Sequence, residues 1–419
     1  MNKLLVILVI FLSGCASKSA QTDPDHITSM QVVDRNGFSE TISNKDRLTA
    51  YQGVDFTSNQ PYQKVLRVFG RDKEGKTHSK ITSYHPNGQI CQYLEVMDGR
   101  AHGKYKEWHE NGLLKIECTV IEGMADVSPL AQTGWLFEGE SKVWDDEGHL
   151  IARIHYEKGA LHGLSNYYYP SGQLWKSLPY ERDLLDGEML VYNENGELSQ
   201  RIPFKKGISS GVALGRWDKN LLWYEEHYQE GLLMKALYYD PTGKLLAEIK
   251  NGEGTLALFV DGHLESLIQY KKGKPEGEVK LFDISGNVAK MFSIKEEKKH
   301  GEEWQYFPNT QQPKLLVSWY EDKIQGLVKT WYENGMLESQ REMSNNKKHG
   351  LSFAYYKDGQ LMFMEEYDND KLMRGSYFKK GEKLPVSKIE NGQGVATLYN
   401  AEGHLNQKIS YEKGSPLID

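Results

Sequence analysis

The chain has 419 residues, a formal net charge of -7, and an unusual load of 40 Gly and 25 Tyr. That length exceeds what one compact core normally serves, so several domains or a repeat array are expected, and the Gly and Tyr content favours strands and turns. The mild acidity argues against a nucleic-acid surface, and past the first residues no apolar run is long enough to span a membrane.

Lys3 opens a charged region, "LLVILVIFL" follows, and "LSGC" closes the segment at Cys15. An apolar stretch this short reads as an export signal over residues 1–14 and not as a membrane helix. Its ending resembles the bacterial lipobox. The resemblance implies that Cys15 receives a diacylglycerol, becomes the mature N-terminus and anchors the protein in the membrane through palmitate-type chains. Ala16 follows where sorted lipoproteins kept at the inner membrane carry Asp, which implies the outer membrane, facing the periplasm. Residues 15–60 then form a lipid-anchored linker and cap, and residues 61–419 the main body.

Residues 70–77, "GRDKEGKT", fit the phosphate-loop pattern through Gly70, Gly75, Lys76 and Thr77. The motif binds phosphate only where a strand enters it and a helix leaves it. Here "KVLRVF" precedes it and the alternating "HSKITSY" follows, so the segment reads as strand, turn, strand. Asp72 and Glu74 would also repel phosphate. No nucleotide is expected.

From that point a period appears. Turn glycines align at Gly88, Gly112, Gly148, Gly172, Gly196, Gly243, Gly262, Gly286, Gly335, Gly359 and Gly403. Four residues earlier stands an aromatic, as in Tyr84, Trp108, Trp144, Tyr168, Trp331 and Tyr399, with Leu258 as the exception. Two residues later stands an aliphatic in every case, as in Ile90, Leu114, Leu174 and Leu405. The commonest step is 24 residues, and a second set of glycines, including Gly103, Gly139, Gly163, Gly326, Gly350 and Gly375, is read as closing the other end of each unit. A period of this size means about 13–14 stacked units that bury their apolar faces against one another.

Turn chemistry identifies the unit. "HPNG", "YPSG" and "DPTG" place Pro where φ is near -65° and Gly where φ is positive, which suits a type I turn followed by a Gly bulge. The fold class is therefore all-β, an elongated antiparallel meander or solenoid of hairpins with almost no helix. Regular alternation puts the aromatic, the aliphatic and the residues six and eight past the glycine (Leu178 and Tyr180, Ile202 and Phe204) on one buried face. The same parity puts Cys91 and Cys118 on opposite faces, so no disulfide is expected.

Taken together, the recurring aromatic, "NG" and Leu positions resemble the MORN-repeat variant, the repeat of bacterial proteins grouped as the YwqK antitoxin-like family. The match runs from about residue 79 to 419, with departures at 212–235, 302–316 and 376–394. It implies a hairpin array and a role in binding proteins or membranes, and it carries over no catalytic residue.

Other chemistry is sparse. His102, His162, His300 and His349 recur before a glycine, but units two apart lie about 19 Å from each other at normal strand spacing, so they read as turn residues bonding their own loops and not as metal ligands. Glu107, Glu110 and Asp145 read as solvated or turn carboxylates, and "DND" at 368–370 as a turn. No catalytic, cofactor or metal residues are expected, and the chain reads as no enzyme. The largest irregularity is the 36-residue step from Gly112 to Gly148, whose surplus falls in residues 121–139. Met124, Val127, Leu130 and Trp135 make this loop apolar, either as a partner-binding element or as a cover over part of the array. The functional expectation is a membrane-anchored, non-enzymatic scaffold for an unknown protein partner in the envelope. The alternative is an antitoxin or immunity-like inhibitor that neutralises a toxin.

Overall fold

The computed structural model describes residues 27–417, apart from residues 52, 53, 61, 72 and 73. Cys15 and the export segment lie outside the described residues. Internal contacts divide the chain into two compact units after Gly196. In each, the strands pair antiparallel, and among the described residues two helices, Lys45–Thr49 and Pro129–Gln132, both in the first unit, are each about one turn long.

In the first unit, part of the segment read as linker and cap joins the sheet. Ile27–Asp34 pairs on one side with Ser39–Ile42 and on the other with Gln63–Arg71. Met30, Ile42 and Leu48 bury against Leu66, Val68, Tyr84 and Ile90. The phosphate-loop look-alike lies between the strands Gln63–Arg71 and Thr77–Tyr84, which pair with each other, so a strand and not a helix leaves it.

The hairpin reading holds in detail. At the first full turn the His85 amide donates to the Gln89 carbonyl and the Gly88 amide to the His85 carbonyl, with Gly88 at φ 88°. Tyr84 stands opposite Ile90, Trp108 opposite Leu114, Tyr168 opposite Leu174, and Trp331 opposite Leu337, as the spacing requires. The Leu258 exception dissolves. Gly262 belongs to a tight two-residue turn with Asp261, and the aromatic opposite Leu264 is Phe259.

One expectation fails. Ser83 pairs with Gln92 while Tyr84 pairs with Ile90, so Cys91 is an extra residue, and the same slip recurs three residues past the glycine in later units. One inserted residue turns everything after it to the other face. Tyr84 and Ile90 pack with Met30 and Leu66, whereas Leu94 and Val96, six and eight past the same glycine, pack with Tyr105, Cys118 and Trp135. Leu178 and Tyr180 likewise part from Tyr168 and Leu174. Both faces of the sheet are therefore apolar in part. The cysteines stay free for a different reason from parity. The strand Arg100–Trp108 lies between theirs, which separates them by about 9.6 Å sideways, beyond disulfide reach.

The second glycines do not form the far turns. Those are two-residue turns with both φ values positive, such as Arg182-Asp183, Asn345-Asn346 and Asn369-Asp370. Such turns match the twist of the strands they join. Gly350 lies inside the next strand at a bulge, where a Cβ would come within 2.0 Å of the Glu342 carboxylate. That carboxylate accepts a hydrogen bond from the Leu351 amide, and Gly350 faces Tyr367.

Successive far turns are clamped together. The Asp183 amide donates to the Leu161 carbonyl at 3.0 Å, and the Leu161 amide donates to Asp183 Oδ1 at 2.8 Å. Asp322 with Lys299, Asn346 with Ile324, and Asp370 with Lys348 repeat both bonds. This explains why Asp or Asn, and not Gly, holds a left-handed position. At the opposite edge Tyr169, Tyr332 and Tyr356 donate their hydroxyls to the carbonyls of Tyr192, Tyr355 and Phe378 in the following unit.

The second unit also holds an irregular module twice. Around "NGEG" (251–254), Leu233 donates its amide to Gly273, Gly273 to Gly252 and Gly252 to Met234; around "NGQG" (391–394), Leu372, Gly414 and Gly392 make the same three bonds, with Met373 in place of Met234. Each copy holds a glutamate between two tyrosine hydroxyls: Glu226, half-buried, with Tyr228 and Tyr238, and Glu365, buried, with Tyr367 and Tyr377.

Asp183→Ala should remove the acceptor while keeping a Cβ at φ 66°, and cost about 1 kcal/mol. Asp183→Gly should remove the acceptor and the left-handed Cβ together, so that relief of about 1 kcal/mol of backbone strain offsets the lost bond and the variant is the more stable of the two. Urea unfolding of both variants checks the order.

Candidate binding surface

The surplus residues between the strands Leu114–Glu122 and Leu136–Trp144 fold back over the sheet. Val127 is 6% exposed and Trp135 6%, whereas Met124 is 58% and Leu130 76% exposed. The four residues singled out from the sequence thus divide: two close a core and two face solvent.

The seat of this insert is built from the face that the bulge creates. Trp135 packs edge-on against Tyr105, with ring centres 4.8 Å apart, and its Nε1 donates to the Met124 carbonyl. Gly123 is required beneath it, since a Cβ there would lie 2.4 Å from the indole. Gln92 donates to the Val127 carbonyl and to the Tyr105 hydroxyl, and Gln132 donates to both as well. Asp126 pairs with Arg67 and accepts from the Ser128 amide, which holds its carboxyl below the usual range against the opposing effect of burial. Burial under the insert pushes the Cys118 thiol up to about 12, so it is no nucleophile at neutral pH.

Past the insert the same face continues uncovered by it. Val143 pairs with Ala152 and Ala152 with Tyr167; Ser141 pairs with Ile154, and Ser165 with Leu178; Tyr156 and Tyr180 stand over Gly139 and Gly163. Phe137 bridges the two regions, its ring 5.3 Å from that of Tyr156.

Polar groups elsewhere are mostly engaged. Glu107, expected to be solvated, accepts from the Tyr105 hydroxyl and from Lys115. Two of the histidines reach neighbouring strands and not their own loops: His102 Nδ1 lies 2.9 Å from the Ile121 carbonyl, and His349 Nδ1 lies 3.3 Å from Asp368. Among the described residues no three His, Cys, Asp or Glu side chains converge as a metal site would require. In the second unit Glu303, 3% exposed, is held by Lys290 and Lys299, each at 2.7 Å, and by Gln305. Burial alone would raise its pKa, but these partners outweigh it and hold the carboxyl at about 2. Burial raises the carboxyl of Glu226 despite its two tyrosine donors. Also in the second unit, an open cavity of 460 Å³ is lined by Met364, Glu366, Arg374 and Lys388 among others.

With this geometry in place, comparison with known families is informative. Six segments match the MORN repeat variant. They are residues 101–121, 137–158, 161–182, 185–206, 324–345 and 348–369. The insert falls between the first two, and the duplicated module mostly escapes the match. No curated protein matches the chain. Among solved structures, a Photorhabdus luminescens Tc holotoxin pore aligns at 12% identity over 93% of this chain and 24% of its own, with a TM-score of 0.14. This chain thus spans about a quarter of that one. A porin-like protein from Bacteroides uniformis aligns at 10% identity, over 59% and 95% of the two chains, with a TM-score of 0.15. A eukaryotic initiation factor aligns at 11% identity, over 92% and 96%, with a TM-score of 0.22. Superpositions this poor carry no argument about this protein.

Trp135→Ala should cost about 3–5 kcal/mol and make Cys118 react with an aromatic disulfide reagent in the native protein. Met124→Ser and Leu130→Ser should leave the melting temperature nearly unchanged. Because the Glu303 carboxyl is held below its ordinary value, its contribution is present at neutral pH and is lost as pH falls from 4.5 through about 2. Glu303→Gln should therefore flatten that limb of an acid titration of stability, by of order 3 kcal/mol.

Proposed function

We propose that this protein is a non-enzymatic repeat scaffold, anchored through lipid on Cys15 and holding a protein partner at the bacterial outer membrane. The observation that carries the reading is the two-sided apolar sheet. A hairpin meander whose bulges present aromatic rows on both faces offers extended contact area of the kind partners use. The six MORN-variant segments support it, since such repeats occur in proteins that bind other proteins or membranes.

Two measurements test this. Cys15→Ala should move the protein to the soluble fraction and abolish palmitate labelling; continued membrane association would overturn the anchor. Capture from detergent-solubilised envelopes should retain one protein in near-equal amount with the wild type, and failure to find one would overturn the scaffold. If the retained protein is toxic when produced alone, the narrower antitoxin reading replaces a purely architectural one.

A further inference from the structure

The chain holds seven Asn-Gly pairs, and the fold treats them in three ways. We propose that two of them, Asn36-Gly37 and Asn195-Gly196, are sites of spontaneous deamidation, while the other five are kept as amides by their hydrogen bonds. The reaction needs only water. The glycine backbone nitrogen, on losing its proton, bonds to the Asn side-chain carbonyl carbon, and Nδ2 leaves as ammonia. Water then opens the five-membered succinimide at either carbonyl and leaves Asp or isoaspartate. Glycine favours the attack because no side chain crowds the closing ring.

Three pairs lie in hairpin turns that pin both ends of the side-chain amide. Asn87 Oδ1 accepts from the Gln89 amide at 3.0 Å, and its Nδ2 donates to the Glu110 carbonyl of the next turn at 2.6 Å. Asn111 repeats this with Leu113 and Asp146, and Asn334 with Met336 and Lys357. Their carbonyl carbons cannot swing toward the glycine nitrogen without breaking both bonds. In Asn251-Gly252 and Asn391-Gly392 the glycine amides are links of the duplicated module, donating to Met234 and Met373, so attack there would break the module.

Asn36 and Asn195 occupy the same place in turns of the same kind, with Gly37 at φ 86° and Gly196 at 79° against 88° at Gly88. What differs is the residue three before the glycine. The pinned turns carry His85, His109 and Tyr332 there, whereas these two carry Asp34 and Asn193. Asp34 Oδ1 accepts from the Asn36 and Phe38 amides, both at 2.9 Å, and the second of these is the bond that Asn87 supplies in its own turn. Asn193 Oδ1 likewise accepts from the Asn195 amide at 3.1 Å. The Asn36 and Asn195 side chains are thereby relieved of that duty, and among the described residues neither has a hydrogen-bond partner. Two other features do not separate the five hairpin pairs: every Asn is exposed, and every glycine amide donates to the carbonyl three residues back.

The test incubates the whole protein at mildly alkaline pH in water enriched in oxygen-18 and follows each Asn-Gly peptide by mass. In the folded protein Asn36 and Asn195 should convert about tenfold faster or more than Asn87, Asn111 and Asn334, the ratio that breaking two such bonds implies. Each product should carry one heavy oxygen, and part of it should be isoaspartyl. In urea, where no turn pins an amide, the five rates should draw together. Asn36→Gln with Asn195→Gln, which keeps both amides but lengthens the ring to be closed, should remove most of the ammonia that the folded protein releases. Conversion of Asn87, Asn111 or Asn334 as fast as Asn36 in the folded protein would overturn the proposal. So would a gap that persists in urea, ammonia release unchanged in the double variant, or amides at 36 and 195 that stay intact.

Discussion

One extra residue, three positions past the turn glycine in the regular hairpins, sets the character of this sheet. Side chains in a strand alternate strictly, so an inserted residue transfers all that follow to the opposite face. Each regular hairpin therefore places its aromatic and first aliphatic on one side and the residues six and eight past its glycine on the other. A sheet built without the slip would have one apolar and one solvated face and would need a second layer. With it, apolar side chains serve both sides, and coverage is supplied locally: by Ile42 and Leu48 on one face and by Val127 and Trp135 on the other.

The turns keep this arrangement in register. An Asp or Asn in the left-handed region costs conformational energy, yet its side chain accepts an amide from the preceding unit while its own amide donates back. The pair of bonds extends the ladder past the last strand residue, where backbone groups would otherwise be left to water. Tyrosine hydroxyls do the same at the other edge. The bulge glycines complete the pattern by leaving room for the carboxylates that satisfy the bulged amides.

The buried carboxylates have a related cause. Glu303, Glu226 and Glu365 all lie in strands, and each is matched by cations or phenols from its own and neighbouring strands. The environments differ in sign. Two lysines keep Glu303 ionised far into acid, whereas Glu226, offered only tyrosine hydroxyls, has its carboxyl raised by burial. Groups so fully engaged hold strands together, and the surfaces left for binding are the apolar ones beside them.

The turns were legible in the sequence because their causes are local: Pro and Gly fix φ within a few residues, and the 24-residue recurrence shows the same solution repeated. The all-β class, the pairing of Tyr84 with Ile90 and its equivalents, and the turn at the phosphate-loop look-alike all follow from that. The bulge left no mark of its own, since Cys91, Trp175 and Leu246 share no residue type at the extra position. The duplicated module did leave a signal, "NGEG" and "NGQG", but its meaning lies in amide bonds between turns far apart in the chain. Which insert residues lie buried was likewise decided by tertiary structure alone. Met124, Val127, Leu130 and Trp135 are all apolar, and only the face created by the slip, with Tyr105 rising from it, determines that Val127 and Trp135 are covered while Met124 and Leu130 meet water.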